Sequence, residues 1–519
     1  MKFFSYFLII VLVMLPTLVG YMINTDMHFT GLTSATDADT YLSIMNQAKE
    51  GHWIFTNMFT SENVPYLNIP PTYMLAGWFA GITGLSNVFV YHLFRIIGII
   101  LFVYFLEKLI SLVMESKRKT TLFICIFASG IGFFFKFITL LGFKQYGSID
   151  LWISDANNFL ILFSHPHTIF SIALMTGSVY YLLRWYNEVK LKPLIISGIF
   201  AFILGFEHLF DVITIYLALG FFILDQFIVS KKIDWKKVRQ LIIFGLITAT
   251  PFIYTYIMFT NPAFASWNDQ NVLDTPKLLH VMFGYGFMFV SFIGFLTYSF
   301  ITRKYKTTKP EIKFIIYWII SVLILIYSPL NIQRRFLEGV HIPFGIITGL
   351  FLFTIVFPYL KNIWNVKIAK VIVAIVIILM LPTNIYHLFN NTLNINNGRG
   401  VYPYETSTYI YPEEDEALHW LAANSEKDAV IISTYNIGNQ IPAYMNRRVY
   451  LGHWAQTIDL DKKAKDVEDY FKLYKQIIID KPTYVWYGVD EKTLNPDFKQ
   501  PDGSIAVFNN AKVTVYKLP

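Results

Sequence analysis

Residues 36–41, Thr36-Asp37-Ala38-Asp39-Thr40-Tyr41, follow one hydrophobic segment, Phe3 to Gly20, and open a run with Tyr41, Ile44, Met45 and Ala48 on one side. That spacing is helical. Gly51 stops the run and Trp53 follows it, so the stretch predicts an amphipathic helix lying at a membrane interface, with two carboxylates at its N-terminal end. Carboxylates so placed suggest chemistry at the membrane surface on a lipid-linked substrate.

The rest of the chain supports a bilayer setting. Apolar residues make up 55% and charged residues 15% of the sequence, and the mean hydropathy is +0.47. Soluble domains carry about a quarter charged residues. Aromatics at 18% fit headgroup belts and lipid-facing helix surfaces. The net charge of +7 sits in short loops between hydrophobic runs, which excludes nucleic acid as the partner. The single cysteine, Cys125, lies inside a hydrophobic run and reads as a small core residue. The apolar segment after Lys2 is longer than the ~7–15 residues of a signal-peptide core and reads as an uncleaved anchor.

Runs of spanning length, about 17–25 residues, fall near 4–22, 90–113, 120–142, 166–185, 192–207, 210–229, 239–259, 279–301, 313–329, 338–358 and 369–387. The reading is about eleven crossings. Basic loops at 117–119, 184–192, 231–239, 303–313 and 361–370 alternate with loops poor in Lys and Arg. With Lys2 they hold roughly 20 basic residues against roughly 5 on the other side. The expected topology is a multi-pass protein of the plasma membrane, N-terminus cytoplasmic and C-terminus extracytoplasmic. Segment 71–85 is apolar but short and ends at Gly84, so it is expected to lie in the interface rather than to cross. After about residue 388 the composition turns soluble: a helix opening at Glu413-Glu414-Asp415-Glu416, strands at 429–433, 484–487 and 513–516, and a helix near 461–478. The expected organisation is a transmembrane domain, 1–387, and an extracytoplasmic α/β domain, 388–519.

All candidate chemistry faces outward in this topology. Asp37 and Asp39 read as a general base, as joint holders of a divalent cation, or as a helix N-cap. A second group comprises Asp150, Asp155, Asn157, Asn158 and Ser164-His165-Pro166-His167, with Pro166 suited to a first helical turn. The two histidines should diverge on a helix, so a metal shared by both is not expected. Glu207, His208 and Asp211 mark the turn between two short spans, where ionisable groups are costly and either functional or mutually paired. Arg334 and Arg335, with Glu338 and His341, break the positive-inside trend. The arginines read as a phosphate clamp, or as partners of Glu338 or of anionic lipid.

In this order the features resemble the polytopic GT-C glycosyltransferases, in particular the branch of protein O-mannosyltransferases and the lipid A aminoarabinose transferase. The residues that carry the resemblance are Asp37-Ala38-Asp39-Thr40-Tyr41, Gly51-His52-Trp53, Pro70-Pro71 opening a second interfacial helix that closes on Gly84 before Arg95, and an outer site at His165-Pro166. The resemblance implies a mainly α GT-C-like fold. It also implies inverting sugar transfer from a polyprenyl-phosphate-linked donor to a glycan, lipid or protein acceptor, with Asp37 or else Asp39 as general base. Where the aminoarabinose branch has Glu-Lys, this chain has Asn68-Ile69. The donor-phosphate contact then needs another source, for which Arg334, Arg335 and, after them, Lys144 are the candidates by charge and side, and His165, His167, Asp155, Glu207 and His208 complete the substrate-binding candidates. Asn439 to Tyr444 and Arg447-Arg448 resemble outer domains of bacterial members. Tyr404, Tyr409, Tyr411, Trp420 and Trp454 read either as sugar-stacking or as core aromatics. The competing readings are a lipid or polysaccharide transporter, which would be expected to show repeated halves and midplane charges, and a non-catalytic assembly factor. No Gly-rich nucleotide-phosphate loop is present.

Overall fold

The structure is a computed structural model, and it describes residues 2–23, 25–65, 70–142, 147–260, 272–400, 408–479, 481 and 483–519. Asn68, Ile69, Lys144 and Tyr404 lie outside that set. In chain order the chain passes through α1 (Lys2–Met22), α2 (Ala35–Lys49), α3 (Pro71–Thr83), α4 (Asn87–Val113), α5 (Arg118–Phe127), α6 (Pro166–Glu188), α7 (Leu191–Glu207), α8 (Leu209–Ser230), α9 (His341–Phe351), α10 (Pro412–Asn424), α11 (Tyr435–Met445) and α12 (Leu460–Leu473), with further helices between them.

Five helices among the described residues are long and apolar enough to cross a membrane, or seven if each of two bent pairs is one span. The protein is multi-pass. Two of the expected crossings form shorter helices, α7 with 17 residues and Pro310–Leu325 with 16. Arg118–Phe127 and Gly132–Leu140 bend by 45°, and Leu278–Tyr285 and Phe287–Ile301 by 94°. The second bend falls on Gly286, whose φ of +46° is open to a residue without a Cβ.

The chain divides into two compact units, one of residues 1–13, 95–257 and 272–389, the other of 14–94, 258–271 and 390–519. In the first, small residues set the helix packing. A Cβ at Gly345 would lie 2.7 Å from Cys125 Sγ, and one at Gly349 would lie 2.4 Å from Thr121 Oγ1. This small-xxx-small face of α9 lets α5 approach closely. Cys125 is fully buried there, as expected of a core residue. Ser178 of α6 donates to the Ser197 carbonyl at 3.1 Å, and Ser197 of α7 donates back to the Ser178 carbonyl at 2.8 Å. Lys313 and Asp225 form a buried ion pair at 2.9 Å.

In the second unit α2 and α3 pack through Gly77, where a Cβ would lie 2.5 Å from the Met45 carbonyl oxygen. Tyr41 and Tyr73 stack beside it at 4.3 Å. The expected stops hold: α2 ends at Glu50 with Gly51 at φ +91°, and α3 ends on Gly84 at φ +73°. β1 (His28–Phe29) pairs antiparallel with β2 (Tyr409–Ile410). A five-stranded sheet comprises β3 (Val430–Ile432), β4 (Arg448–Val449), β5 (Thr483–Tyr487), β6 (Ile505–Asn509) and β7 (Thr514–Lys517), in the order β4-β3-β5-β7-β6. β3 runs parallel to β4 and β5, with α11 and α12 in the crossovers, and β7 returns antiparallel to both β5 and β6. The sequence anticipated β3, β5, β7 and α12. It did not anticipate the edge strand β6 or the helix α11, which has Pro442 inside it.

Candidate functional site

Asp37 is the third residue of α2, and the N-cap is Ser34. Neither aspartate is the cap. Positions i and i+2 leave a helix on different faces, and the two carboxylates meet different surroundings. Asp39 is fully buried, whereas the Asp37 side chain is 43% exposed.

Asp37 Oδ1 accepts a hydrogen bond from His453 Nε2 at 3.0 Å. His453 Nδ1 accepts from the Ala455 N–H at 3.2 Å. With Nδ1 occupied as an acceptor, the neutral ring carries its proton on Nε2 and donates to the aspartate. The imidazole is buried, edge-on to Phe59 at 6.1 Å. Its loop is fastened to the 57–60 segment. Val449 N–H donates to the Met58 carbonyl at 3.0 Å, Asn57 Nδ2 donates to the Gln456 carbonyl at 2.8 Å, and Thr457 Oγ1 donates to the Phe59 carbonyl at 2.8 Å. Lys463 Nζ donates to Thr60 Oγ1 at 2.8 Å and pairs with Glu62. α2 is held to α11 by Asn46 Nδ2, which donates to the Ala443 carbonyl, and Asn87 Nδ2 donates to Asn46 Oδ1 at 2.6 Å. Both partners of the Asp37–His453 pair are thus fixed by backbone, which limits the rotamers of the carboxylate.

In the first unit the expected residues sort into two sets. Asp150, Asn157 and Asn158 hold the loop itself. Ser148 Oγ and the Gly132 N–H donate to the Asp150 carboxyl, which burial pushes up to about 6, and His387 Nε2 lies 2.8 Å from the Asp150 carbonyl. Asn157 Nδ2 donates to Asn384 Oδ1 at 2.7 Å, and Asn158 Nδ2 donates to the Cys125 carbonyl at 2.8 Å. His341 places its ring nitrogens 3.2 and 2.9 Å from the Cys125 and Ala128 carbonyls. Buried Arg95 donates to the Phe163 carbonyl at 2.9 Å.

The other set converges. Asp155 Oδ2 pairs with Arg335 Nη1 at 3.3 Å, and the Arg334 guanidinium lies over Trp152 at 5.5 Å. His208 Nδ1 lies 2.9 Å from Glu338 Oε1 and 3.8 Å from Asp211 Oδ2. The ring of His167 meets that of His208 edge-on at 5.1 Å. His165, the N-cap of α6, is extended rather than helical, so its ring lies nearly parallel to that of His167 at 5.9 Å. The divergence expected of the two histidines required both to be helical. Glu207 is buried at the end of α7. Arg335 pairs with Asp155, and its charge also acts on Glu338. Residues far apart in the sequence, 155, 167, 208, 211, 335 and 338, therefore meet in one cluster.

No family model matches the sequence, and no curated protein matches it. Solved structures do match its fold. The oligosaccharyltransferase of Archaeoglobus fulgidus in its apo form aligns with a TM-score of 0.57 and 12% identity, over 95% of this chain and 71% of that one. ArnT from Cupriavidus metallidurans bound to undecaprenyl phosphate aligns at 0.53 and 11%, over 98% of this chain and 97% of that one. The mycobacterial arabinofuranosyltransferase AftD aligns at 0.55 and 10%, over 98% of this chain and 40% of that one. All three are GT-C membrane glycosyltransferases.

This chain has the GT-C fold. The resemblance read from Asp37 to Gly84 is borne out at the level of architecture, helices with a small C-terminal sheet region. The Archaeoglobus protein has also been solved with dolichol-phosphate and an inhibitory peptide, and with zinc and sulfate.

Sequence reasoning missed His453. Trp454 beside it was noticed as an aromatic, but nothing in the spacing of Gly452-His453-Trp454 signals a partner 416 residues away. Arg447, expected as part of an outer-domain motif, is structural: it donates to the Ala422 and Ser425 carbonyls at 3.1 and 3.0 Å and closes the end of α10. Trp420 packs on Phe508, Tyr409 donates to the Ile395 carbonyl, and Trp454 stays exposed.

Proposed function

We propose that the protein is a membrane glycosyltransferase that moves a sugar from a polyprenyl-phosphate donor to an acceptor hydroxyl on the extracytoplasmic side, with inversion. The observation that carries the reading is Asp37, a half-exposed carboxylate hydrogen-bonded to a buried histidine. Asp39, fully buried, is assigned to the packing of α2 rather than to chemistry. The GT-C fold supports the reaction class. Two solved neighbours, one with dolichol-phosphate and one with undecaprenyl phosphate, support a lipid phosphate as the leaving group.

In a single displacement the acceptor oxygen bonds to the anomeric carbon as the bond from that carbon to the phosphate oxygen breaks. The acceptor's proton passes to the Asp37 carboxylate, and polyprenyl phosphate leaves as an anion. His453 donates to Oδ1 and so orients the carboxylate, leaving Oδ2 to take the proton. Arg334 and Arg335 are the residues assigned to the developing phosphate charge, because a guanidinium offers planar donors to a phosphate. His165, His167, Asp155, Glu207 and His208 are the further candidates for substrate binding.

Purified protein mixed with polyprenyl-phosphate sugars should release free polyprenyl phosphate in proportion to glycosylated acceptor. Absence of release with every hexosyl and pentosyl donor tried, from a folded preparation supplied with cell-envelope acceptors, would overturn the reading.

A further inference from the structure

His208, Asp211 and Glu338 present one imidazole nitrogen and two carboxylate oxygens that all lie within 4.8 Å of one another. The two carboxylates have no exposed surface. Among the described residues no hydroxyl, amide or N–H donates to either oxygen of Asp211 or to Oε2 of Glu338, and the two carboxyls face each other within hydrogen-bonding reach. Burying two carboxylates side by side is costly unless a cation or a proton compensates them. Arg335, whose charge also acts on Glu338, pairs with Asp155 at 3.3 Å. His208 supplies at most one positive charge, and its Nδ1 faces both carboxylates.

We propose that these three residues bind a divalent cation. The donors converge from the α7–α8 turn, the first turn of α8 and the loop before α9, so the site exists only in the folded unit. One nitrogen and two oxygens without a thiolate select Mn²⁺ or Zn²⁺ over soft ions. Three protein ligands leave coordination positions open for water or a phosphate oxygen, as in catalytic rather than structural metal sites. A cation here would relieve the charge of Asp211 and Glu338 together. It would also hold the loop carrying Arg334 and Arg335 against α8. The site stands on its own geometry and does not depend on the glycosyl-transfer reading.

The test uses the full chain in lipid nanodiscs, stripped with chelator and titrated with Mn²⁺ or Zn²⁺ alone. One ion per chain should bind. Pulsed electron paramagnetic resonance of the Mn²⁺ form should show ¹⁴N coupling to an imidazole, absent in His208→Gln. Asp211→Asn and Glu338→Gln should each weaken binding by at least about tenfold, since even outer-shell partners of a metal are worth about 10–100-fold. Should Asp211→Asn fail to fold, the wild-type coupling and its loss in His208→Gln decide the matter. A folded wild-type protein that takes up neither ion at one per chain up to millimolar concentration would overturn the proposal and leave a carboxyl pair sharing a proton. Coupling that survives in His208→Gln would overturn it equally.

Discussion

Removing the imidazole of His453 tests how much catalysis depends on the orientation of Asp37. The hydrogen bond it makes has an ordinary length, 3.0 Å, and its donor is 5% exposed, so water replaces the donor poorly. A hydrogen bond to a charged group contributes about 1.5–3 kcal/mol. At about 1.4 kcal/mol per decade, His453→Ala should lower turnover by roughly 10- to 150-fold. The loss should fall on kcat, because the carboxylate would be mispositioned for proton transfer. His453→Gln, whose amide can still donate, should recover part of the rate. The assay follows release of polyprenyl phosphate over a range of donor concentrations, with thermal unfolding of both variants as a control for the cavity left by the ring. Wild-type kcat in a folded His453→Ala protein would refute the reasoning, and so would a defect confined to KM.

Three further outcomes follow from the same geometry. Gly345→Val or Gly349→Val forces a side chain into Cys125 or Thr121, and over-packing of this kind costs about 1–3 kcal/mol; a lowered melting temperature in detergent checks it. Arg335→Ala strips buried Asp155 of its cation and should raise the donor KM and lower stability, while Arg335→Ala combined with Asp155→Asn should recover the stability but not the KM. In the C-terminal sheet, burial pushes the Glu491 carboxyl up to about 7, although it accepts from the Thr434 and Gly488 N–H groups. Because the folded form holds its proton up to about 7 and the unfolded form loses it near 4.5, stability should fall as pH rises through that window, by about 1.4 kcal/mol per unit. Thermal melts from pH 4 to 8 should show this slope, and Glu491→Gln should flatten it.

What the sequence disclosed and what it concealed divide along a physical line. Local signals were legible: Gly51 and Gly84 stop their helices through left-handed backbone, Pro166 opens α6, and the buried Thr483–Tyr487 strand announces itself by β-branched and aromatic residues. The GT-C order of elements was legible for the same reason. Breaks inside apolar runs were not, because the 94° bend at Gly286 is a single-residue conformation within an unbroken hydrophobic pattern. Pairings across hundreds of residues were also hidden. Asp37 with His453, Asp155 with Arg335, and His208 with Glu338 have no period and no fixed offset, so their membership in a candidate list was readable while their partners were not. β6 escaped notice because an edge strand is only partly buried and lacks the apolar alternation that marks a central one.

The most direct measurement is polyprenyl-phosphate release by the purified Asp37→Asn protein, which keeps the shape of the side chain and removes its capacity to take a proton. Turnover should fall to background while donor binding and thermal stability stay near those of the wild type. Wild-type turnover by that variant would contradict the assignment of Asp37 as the base.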